Sequence, residues 1–302
     1  MSLIVTGSIG IDTVITPTGR ADEVLGGSTT YFAAAASFFG PVRLVGAVGE
    51  DFEDRHLEAM GSFASVDLAG LERRAGSQTF RWTGEYEANM NVRNTLDVQL
   101  NVLAEPIPPV PDTFRDSTHV FLANTHPANQ IELIDSFGDA ELIVADTMDL
   151  YINTTRDVLD ELMRRVHGLV INDSEAELLT GESNVIRAAD AILGMGPAFV
   201  VIKKGEHGCM LRHAEGLVVL PAYPARDVVD PTGAGDSFAG GMMGYLASIG
   251  KHDLPALRRA LGYGTVTASF NIESFTLDRL SQISRADIDR RFDEFAACAR
   301  VE

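Results

Sequence analysis

The stretch 230–241 reads Asp-Pro-Thr-Gly-Ala-Gly-Asp-Ser-Phe-Ala-Gly-Gly, residue types suited to holding an anion. Pro231 cannot extend a strand or donate a backbone hydrogen bond, so a strand or loop must end there. Gly233 and Gly235 flank small Ala234 and permit backbone angles that a side chain forbids. From Phe238 onward, Phe238, Met242, Tyr245, Leu246 and Ile249 recur at helical spacing on one face, and Gly250 suits the helix end. The pattern predicts a glycine turn opening a helix, with unpaired N–H groups at the positive end of its dipole. Such an end accommodates a phosphate or a developing anion. Asp236 falls in the first helical turn, where a carboxylate would repel a bound phosphate. It makes chemical sense there as a base taking the proton of an attacking alcohol. A helix-capping acid is the plainer reading of the same residue.

Further candidates lie on either side. Asn172-Asp173-Ser174-Glu175 directly follows the apolar run 168–171. Asn and Glu three apart share one face of a helical turn and can hold a hydrated Mg²⁺, which favours oxygen ligands and keeps its waters. The same spacing makes a capping box, and both roles are compatible. Lys203 and Lys204 precede Gly205-Glu206-His207-Gly208. In so acidic a chain one of these lysines suits a phosphate, or they keep a strand edge soluble. Near the N-terminus an apolar run at 3–6 enters a turn lined by Gly7 and Gly10. Asp12 follows, where strand ends in open α/β sheets present ligand contacts; a plain turn aspartate is the alternative. Gly26-Gly27-Ser28-Thr29 leads into an alanine-rich helix at 31–39, closed by Gly40.

These residues must be positioned by the elements between them. Strand-like runs at 42–48, 120–123, 142–145, 168–171 and 198–202 alternate with helical stretches at 52–63, 128–137, 154–166 and 185–193. Helices at 254–270 and 286–299 close the chain. Such alternation predicts βαβ units and a parallel sheet covered on both faces. The stretch 79–103 differs: Phe80, Trp82, Gly84 and Tyr86, then Val92, Asn94, Leu96, Val98, Leu100 and Val102 fall on alternate positions. Strands with one exposed face read this way. Joined by 11–24, they predict a small β-sheet appendage on a core made of 1–10, 25–78 and 104–302. Pro106, Pro108, Pro109 and Pro111 mark the return to that core.

The bulk numbers narrow the function. The chain has 302 residues, 45% hydrophobic and 22% charged, with a formal net charge of −19. That charge argues against nucleic acid or an anionic membrane as partner, while a nucleotide needs only local cations and helix termini. Cys209 and Cys298 have neither metal-ligand spacing nor a disulfide framework, which fits a reducing cytoplasm, and Cys209 reads as a small buried hydrophobe. The first residues lack a basic leader, and no apolar run is long enough to span a bilayer. The motifs of P-loop NTPases, dinucleotide dehydrogenases, serine hydrolases and zinc hydrolases are missing from the sequence.

The run 230–241 closely resembles the second signature of the PfkB, or ribokinase-like, family of small-molecule kinases. The resemblance extends in order from Asp12 to the C-terminal helix. It implies a three-layer α/β/α fold with a mostly parallel central sheet and a small β-sheet lid, which in some relatives is a dimer clasp. It implies that Gly233, Ala234 and Gly235 form an anion hole and that Asp236 is the base. Gly26-Gly27 resembles the first signature, so Asp12, Gly26, Gly27 and Ser28 are implied to hold the acceptor. Gly-Gly-Ser-Thr is similar to the adenosine kinase branch. Many relatives, that branch included, continue with Asn where this chain has Tyr31. A tyrosine there can stack on a ring or hydrogen-bond through its hydroxyl, and helix core is the simpler reading. Gly49-Glu50-Asp51 resembles the family's Gly-x-Asp. Asn172 and Glu175, followed by Leu-Thr-Gly, resemble its Asn-x-x-Glu element for magnesium and phosphates. Lys204, Gly205, Gly208, Thr232 and Tyr263 are implied beside the nucleotide, with Gly262, Gly264, Ala268 and Ser269 leaving room for adenine. Asp230 and the Thr232 carbonyl match a potassium site of many relatives. The implied activity is ATP- and Mg²⁺-dependent phosphorylation of a sugar hydroxyl. A nucleoside kinase with the same machinery is the near alternative. A non-catalytic nucleotide- or sugar-binding protein is the distant one, disfavoured because a binding module needs no base at Asp236.

Overall fold

The computed structural model describes residues 1–300. Thirteen strands follow in chain order. They are β1 (Leu3–Thr6), β2 (Gly10–Thr16), β3 (Gly19–Gly26), β4 (Val42–Gly49), β5 (Val66–Arg74), β6 (Phe80–Tyr86) and β7 (Arg93–Gln99), then β8 (His119–Leu122), β9 (Leu142–Ala145), β10 (Gly168–Asn172), β11 (Phe199–Lys203), β12 (Cys209–His213) and β13 (Gly216–Leu220). The helices are α1 (Ser28–Ser37), α2 (Asp54–Gly61), α3 (Pro127–Ile134), α4 (Asp149–Thr154), α5 (Arg156–Met163), α6 (Asp173–Thr180), α7 (Val185–Leu193), α8 (Ala234–Ile249), α9 (Leu254–Asn271) and α10 (Arg285–Cys298).

The main sheet has nine strands in the order β13-β12-β11-β10-β9-β8-β1-β4-β5. From β11 to β5 every neighbouring pair is parallel, while β12 and β13 add an antiparallel edge. Successive strand residues face opposite sides, which splits the core into two layers. Leu3 and Val5 of β1 pack with Phe32 of α1, Met242 of α8, Leu257 of α9 and Phe292 of α10. Ile4 lies on the other face with Leu133 of α3, Leu159 of α5, Leu179 of α6 and Ile192 of α7. The expected three-layer α/β/α arrangement around a mostly parallel sheet is therefore present.

A second sheet of four strands has the order β3-β2-β6-β7. It takes in most of 11–24 and 79–103, with β2 and β6 parallel at its centre. Its joint to the main sheet is polar. One Asp51 carboxylate oxygen accepts from the Thr79 N–H and hydroxyl, both at 2.7 Å, and the other accepts from Arg81 at 3.0 Å. The edge strand β7 is exposed throughout, including Leu96 and Val98.

Several elements escape the sequence reading. β5 carries Asp67, Glu72, Arg73 and Arg74, so it lacks the apolar run of a central strand. The hairpin β12–β13 keeps Leu217 and Val219 exposed at the sheet edge, and it breaks the strand–helix alternation that guides a βαβ reading. α1 starts at Ser28 rather than at residue 31. Ile249, grouped with the inner face of α8, is instead exposed beside Gly250, where the helix ends. No helix among the described residues is long and apolar enough to cross a membrane.

The step from β3 into α1 turns on Gly27, with φ +94°. A Cβ there would lie 2.6 Å from the Ser8 carbonyl oxygen and 2.7 Å from the Gly10 nitrogen. Neither neighbour is a flexible side chain. Gly27→Ala should therefore cost more than about 2 kcal/mol in urea denaturation, combining left-handed strain with overpacking. Gly61, at the end of α2 with open space around it, is the control. Gly61→Ala should be neutral or stabilising by up to about 1 kcal/mol. Equal behaviour of the two variants would contradict this account.

Candidate functional site

The site forms where the N-terminus of α8 meets the ends of β2, β9, β10 and β11. Gly233 caps α8 with φ +74°, and a Cβ there would sit 2.3 Å from the Tyr31 ring. The Ala234 N–H bonds the Pro231 carbonyl at 3.2 Å, and the Ser237 N–H bonds the Gly233 carbonyl at 2.8 Å. Between them, the N–H groups of Gly235 and Asp236 donate to no other residue among the described residues. The Gly235 N–H is a free donor of the kind that the start of a helix leaves, and the Asp236 N–H bonds only its own carboxyl. The turn is pinned from three directions. Asp230 Oδ1 accepts from the Thr232 N–H at 2.8 Å, Asn271 Nδ2 of α9 donates to the Thr232 carbonyl at 2.8 Å, and the Thr232 hydroxyl donates to the Tyr86 hydroxyl of β6 at 3.2 Å.

Acidic groups crowd this turn. Burial, then Asp146, raises the Asp236 carboxyl to about 7, against the pull of Lys203. Burial and Asp146 likewise lift Glu175 to about 7. Asp12 reaches about 7 through burial and the charges of Asp230 and Asp236, offset by the Gly27 N–H. Burial raises Asp230 as well. Burial, Asp230 and Asp12 push the Tyr31 phenol well above its ordinary value. Asp12 Oδ1, Asp230 Oδ2 and the Tyr31 hydroxyl are all buried without a hydrogen-bond partner. Raised carboxyl groups and orphaned polar atoms concentrated in one place are the marks of a functional site.

The residues singled out by sequence divide into those the fold brings together and those it does not. Asp12 and Gly26-Gly27 converge: a Cβ on Gly26 would lie 2.0 Å from Asp12 Oδ2, so the missing side chain makes room for the carboxylate. Asn172 and Glu175 form a reciprocal capping box at the start of α6, Glu175 N–H to Asn172 Oδ1 at 2.7 Å and Asn172 N–H to Glu175 Oε2 at 2.8 Å. Ser28 is diverted, its hydroxyl 2.9 Å from that of Ser8, where it ties α1 to the β1–β2 turn. Gly205 and Gly208 shape the β11–β12 turn, with φ +51° and +84°. The Lys204 N–H closes that turn on the Gly208 carbonyl at 2.8 Å.

Tyr263 needs a correction. Its ring is stacked between Tyr245 (centroids 4.6 Å) and Phe292 (4.2 Å), edge-on to Phe39, with its hydroxyl donating to Asp289 at 3.0 Å. Both faces are taken by aromatic neighbours, so it offers no surface for a base. It belongs to the α1–α9–α10 packing.

Of the two lysines that the sequence offers, Lys203 is the one that enters the site, and Asp146, Tyr86 and Asn271 were not anticipated. Lys203 ends β11 in register with Asn172 of β10, and its ammonium faces Asp146, Glu175 and Asp236. Asp146 follows β9, held there because buried Gln130 donates to the carbonyls of Leu122, Ala123 and Asp146. Tyr86 and Asn271 brace the turn. Asp146 was within reach of the rule that strand ends carry ligands in parallel sheets. Tyr86 and Asn271 carry no local signal, since their roles depend on contacts 146 and 39 residues away.

Comparison with known proteins gives a consistent result. Residues 12–278 match the family described as pfkB family carbohydrate kinase. A cytidine kinase of Thermococcus kodakarensis is 31% identical over 249 residues, covering 80% of this chain and 87% of that protein. Among solved structures, a nucleoside kinase of Burkholderia thailandensis in complex with inosine superposes with a TM-score of 0.76 at 19% identity, covering 98% of this chain and 99% of that one. A candidate ribokinase II of E. coli, solved with ATP and Mg²⁺, gives 0.77 at 18% identity over 97% and 99% of the two chains. The two structural likenesses speak to the fold; the long match and the full-length relative decide the family, and the chain belongs to the pfkB family of carbohydrate kinases.

Proposed function

We propose that this kinase transfers the γ-phosphoryl group of ATP to a hydroxyl on the ribose of a nucleoside. A free sugar is the alternative acceptor. The observation that carries the phosphoryl-transfer reading is Asp236, a carboxyl raised to about 7, in the same helical turn as the free Gly235 N–H and an Asp236 N–H that bonds no other residue. A base with that proton affinity is matched to neutral pH, and the N–H groups suit the charge of a phosphoryl group in transit. The nucleoside acceptor is supported by the cytidine kinase that aligns over 80% of the chain, whereas the aligned part of a mouse ribokinase covers 25%. This reverses the order in which the sequence ranks the two acceptors.

In this reading Asp12 and the Gly26-Gly27 turn hold the acceptor hydroxyls, Asp236 removes the proton from the attacking one, and the α8 N-terminus steadies the phosphoryl group. Tyr31 lies beneath Gly233 with its hydroxyl turned toward Asp12 and Asp230, where the acceptor's polar atoms would partner it. Bound Mg²⁺ would neutralise phosphate charge. Asn172 and Glu175 would hold it through its waters, because the capping box leaves one Glu175 oxygen free. No group of three metal-ligating side chains exists among the described residues, consistent with a metal that relies on water and phosphate oxygens. Asp230 Oδ2, buried and unpartnered, is an oxygen that a potassium ion would satisfy. The small sheet would act as a lid, since it already reaches the turn through Tyr86.

Incubation with ATP and a panel containing cytidine, adenosine, inosine, ribose and 2-dehydro-3-deoxygluconate, read as ADP formed, tests the acceptor. Asp236→Asn keeps the shape but cannot take a proton. Its kcat on the best acceptor should fall by at least about 100-fold, while its melting temperature does not drop. Substantial turnover in that variant would leave Asp236 as a helix cap.

Activity and stability should respond oppositely to pH. Below about 7, kcat/KM should decline as Asp236 takes up its proton. Asp12, Glu175 and Asp236 are carboxyls whose folded proton affinity exceeds the unfolded value, so the folded state gains stability as they protonate. The ligand-free melting temperature should therefore rise from pH 8 to pH 6.5. Below 6.5, buried His119 acts in the opposite sense, because burial lowers its affinity for a proton. A melting temperature that falls between pH 8 and 6.5 would contradict the raised carboxyls.

Trp82 is the chain's single tryptophan and lies on β6, with Arg93 stacked over its ring at 5.5 Å. If the small sheet closes on the acceptor, tryptophan emission should change when acceptor binds and stay constant with ATP alone. Constant emission at saturating acceptor would remove the lid from the mechanism.

A further inference from the structure

Three carboxylates face one ammonium at the centre of the site without pairing with it. Lys203 Nζ is drawn toward positive charge by Asp146, Glu175 and Asp236, yet Lys203 makes no side-chain hydrogen bond and no ion pair among the described residues. Its ammonium lies against the glycine turn: a Cβ placed on Gly235 would be 3.0 Å from Nζ. Register fixes the lysine there, because Lys203 ends β11 beside Asn172 of β10 and opposite Cys209 of β12. The neighbouring lysine in sequence, Lys204, closes the β11–β12 turn through its backbone N–H. Arg93 of the small sheet also acts on Asp236, more weakly than Lys203.

An ammonium carries three donors, and leaving all of them unmatched in a partly buried site is costly. The carboxylates around it are natural partners, yet none approaches. The ammonium, the N-terminus of α8 and the Asp236 carboxyl thus come together, so donors and a proton acceptor lie close to one another. A tetrahedral phosphoryl group with several negative oxygens matches that arrangement; a neutral sugar ring does not.

We propose that Lys203 is a further catalytic residue, its ammonium, which lies against Gly235, donating hydrogen bonds to the phosphoryl group in transit alongside the α8 N-terminus. The inference rests on the kinase reading above. As the acceptor oxygen forms its bond to phosphorus, its proton passes to Asp236. The bond between phosphorus and the ADP oxygen breaks, and ADP leaves with that electron pair. Lys203 keeps its proton throughout and offsets the charge carried by the moving group. A lysine that merely balanced Asp146, Glu175 and Asp236 would act differently, by keeping Asp236 ionised.

Lys203→Met removes the charge at nearly constant length. With the best acceptor, kcat should fall by about 10²- to 10³-fold, the size associated with losing one donor to a developing anion. The loss should persist from pH 6 to pH 9. In calorimetric titrations ATP should bind more weakly to the variant, and ADP about as well as to the parent. Recovery of kcat to the parent level at pH 9 would overturn the proposal, since a base deprotonated by high pH would then replace all that Lys203 does. Unchanged kcat would overturn it as well. A parent protein that binds no ATP would sink the kinase reading itself, whereas a parent that binds ATP as tightly as Lys203→Met does sinks this proposal alone. If Lys203→Met does not fold, Lys203→Met with Asp146→Asn restores the local charge balance. Low kcat in a folded double variant supports contact with the phosphoryl group, and restored kcat assigns Lys203 to charge balance.

Discussion

Everything in this site depends on the cost of keeping several carboxylates together out of water. Asp12, Asp230, Asp236, Asp146 and Glu175 are all raised in proton affinity, with burial the largest cause in each. Their repulsion is offset by a few oriented groups: the N-terminus of α8, the Gly27 N–H, the Thr232 N–H and the Lys203 ammonium. Each of these is a donor fixed by the backbone or by strand register. The cluster would be expected to spread or protonate if any of them moved, so the fold around the site is organised to keep donors still.

That stillness comes from close helix packing. α8 approaches α1 and α9 through glycines: a Cβ on Gly240 would sit 2.4 Å from the Phe32 carbonyl oxygen, and one on Gly244 would sit 2.9 Å from the Ala36 carbonyl oxygen. On the other side a Cβ on Gly241 would meet the Thr267 hydroxyl at 2.7 Å. Because α1 lies so near, the Tyr31 ring can fill the space under Gly233. Because α9 lies so near, Asn271 can hold the Thr232 carbonyl. The small residues that look permissive in the sequence are thus what lets α1 and α9 pack closely enough to brace the glycine turn.

The small sheet is joined to the same turn from above. β2 continues almost directly from β1, so Asp12 lies on the small sheet while the residues it faces belong to the main one. Tyr86 touches Thr232, and Asn91 beyond β6 donates to Glu206 in the β11–β12 turn at 3.1 Å. Movement of that sheet would change the surroundings of both the glycine turn and the loop at Gly205–His207. The site is therefore assembled from two sheets, one contributing Asp12 and Tyr86 and the other bordering the glycine turn.

The sequence alone determined the parts whose signal is local. The change from Pro231 through two glycines to helical spacing marks the α8 N-terminus, because glycine conformations and helix periodicity are properties of a few adjacent residues. Buried strands such as β9 and the alternation in β6 were legible for the same reason, as were the family and the layered fold that the motifs imply. The edge strands β5, β12 and β13 were not, since their mixed polarity reflects a position at the rim that only the completed sheet defines. Tertiary structure also decided which of two adjacent lysines enters the site: strand residues alternate sides, and register with Asn172 turns Lys203 inward. It withdrew Tyr263 into an aromatic stack and Ser28 into a bond with Ser8, because a partner distant in sequence reached each of them. Proton affinities were likewise invisible beforehand, as they arise from burial and from carboxylates that meet only when β2, β9, α6 and α8 converge.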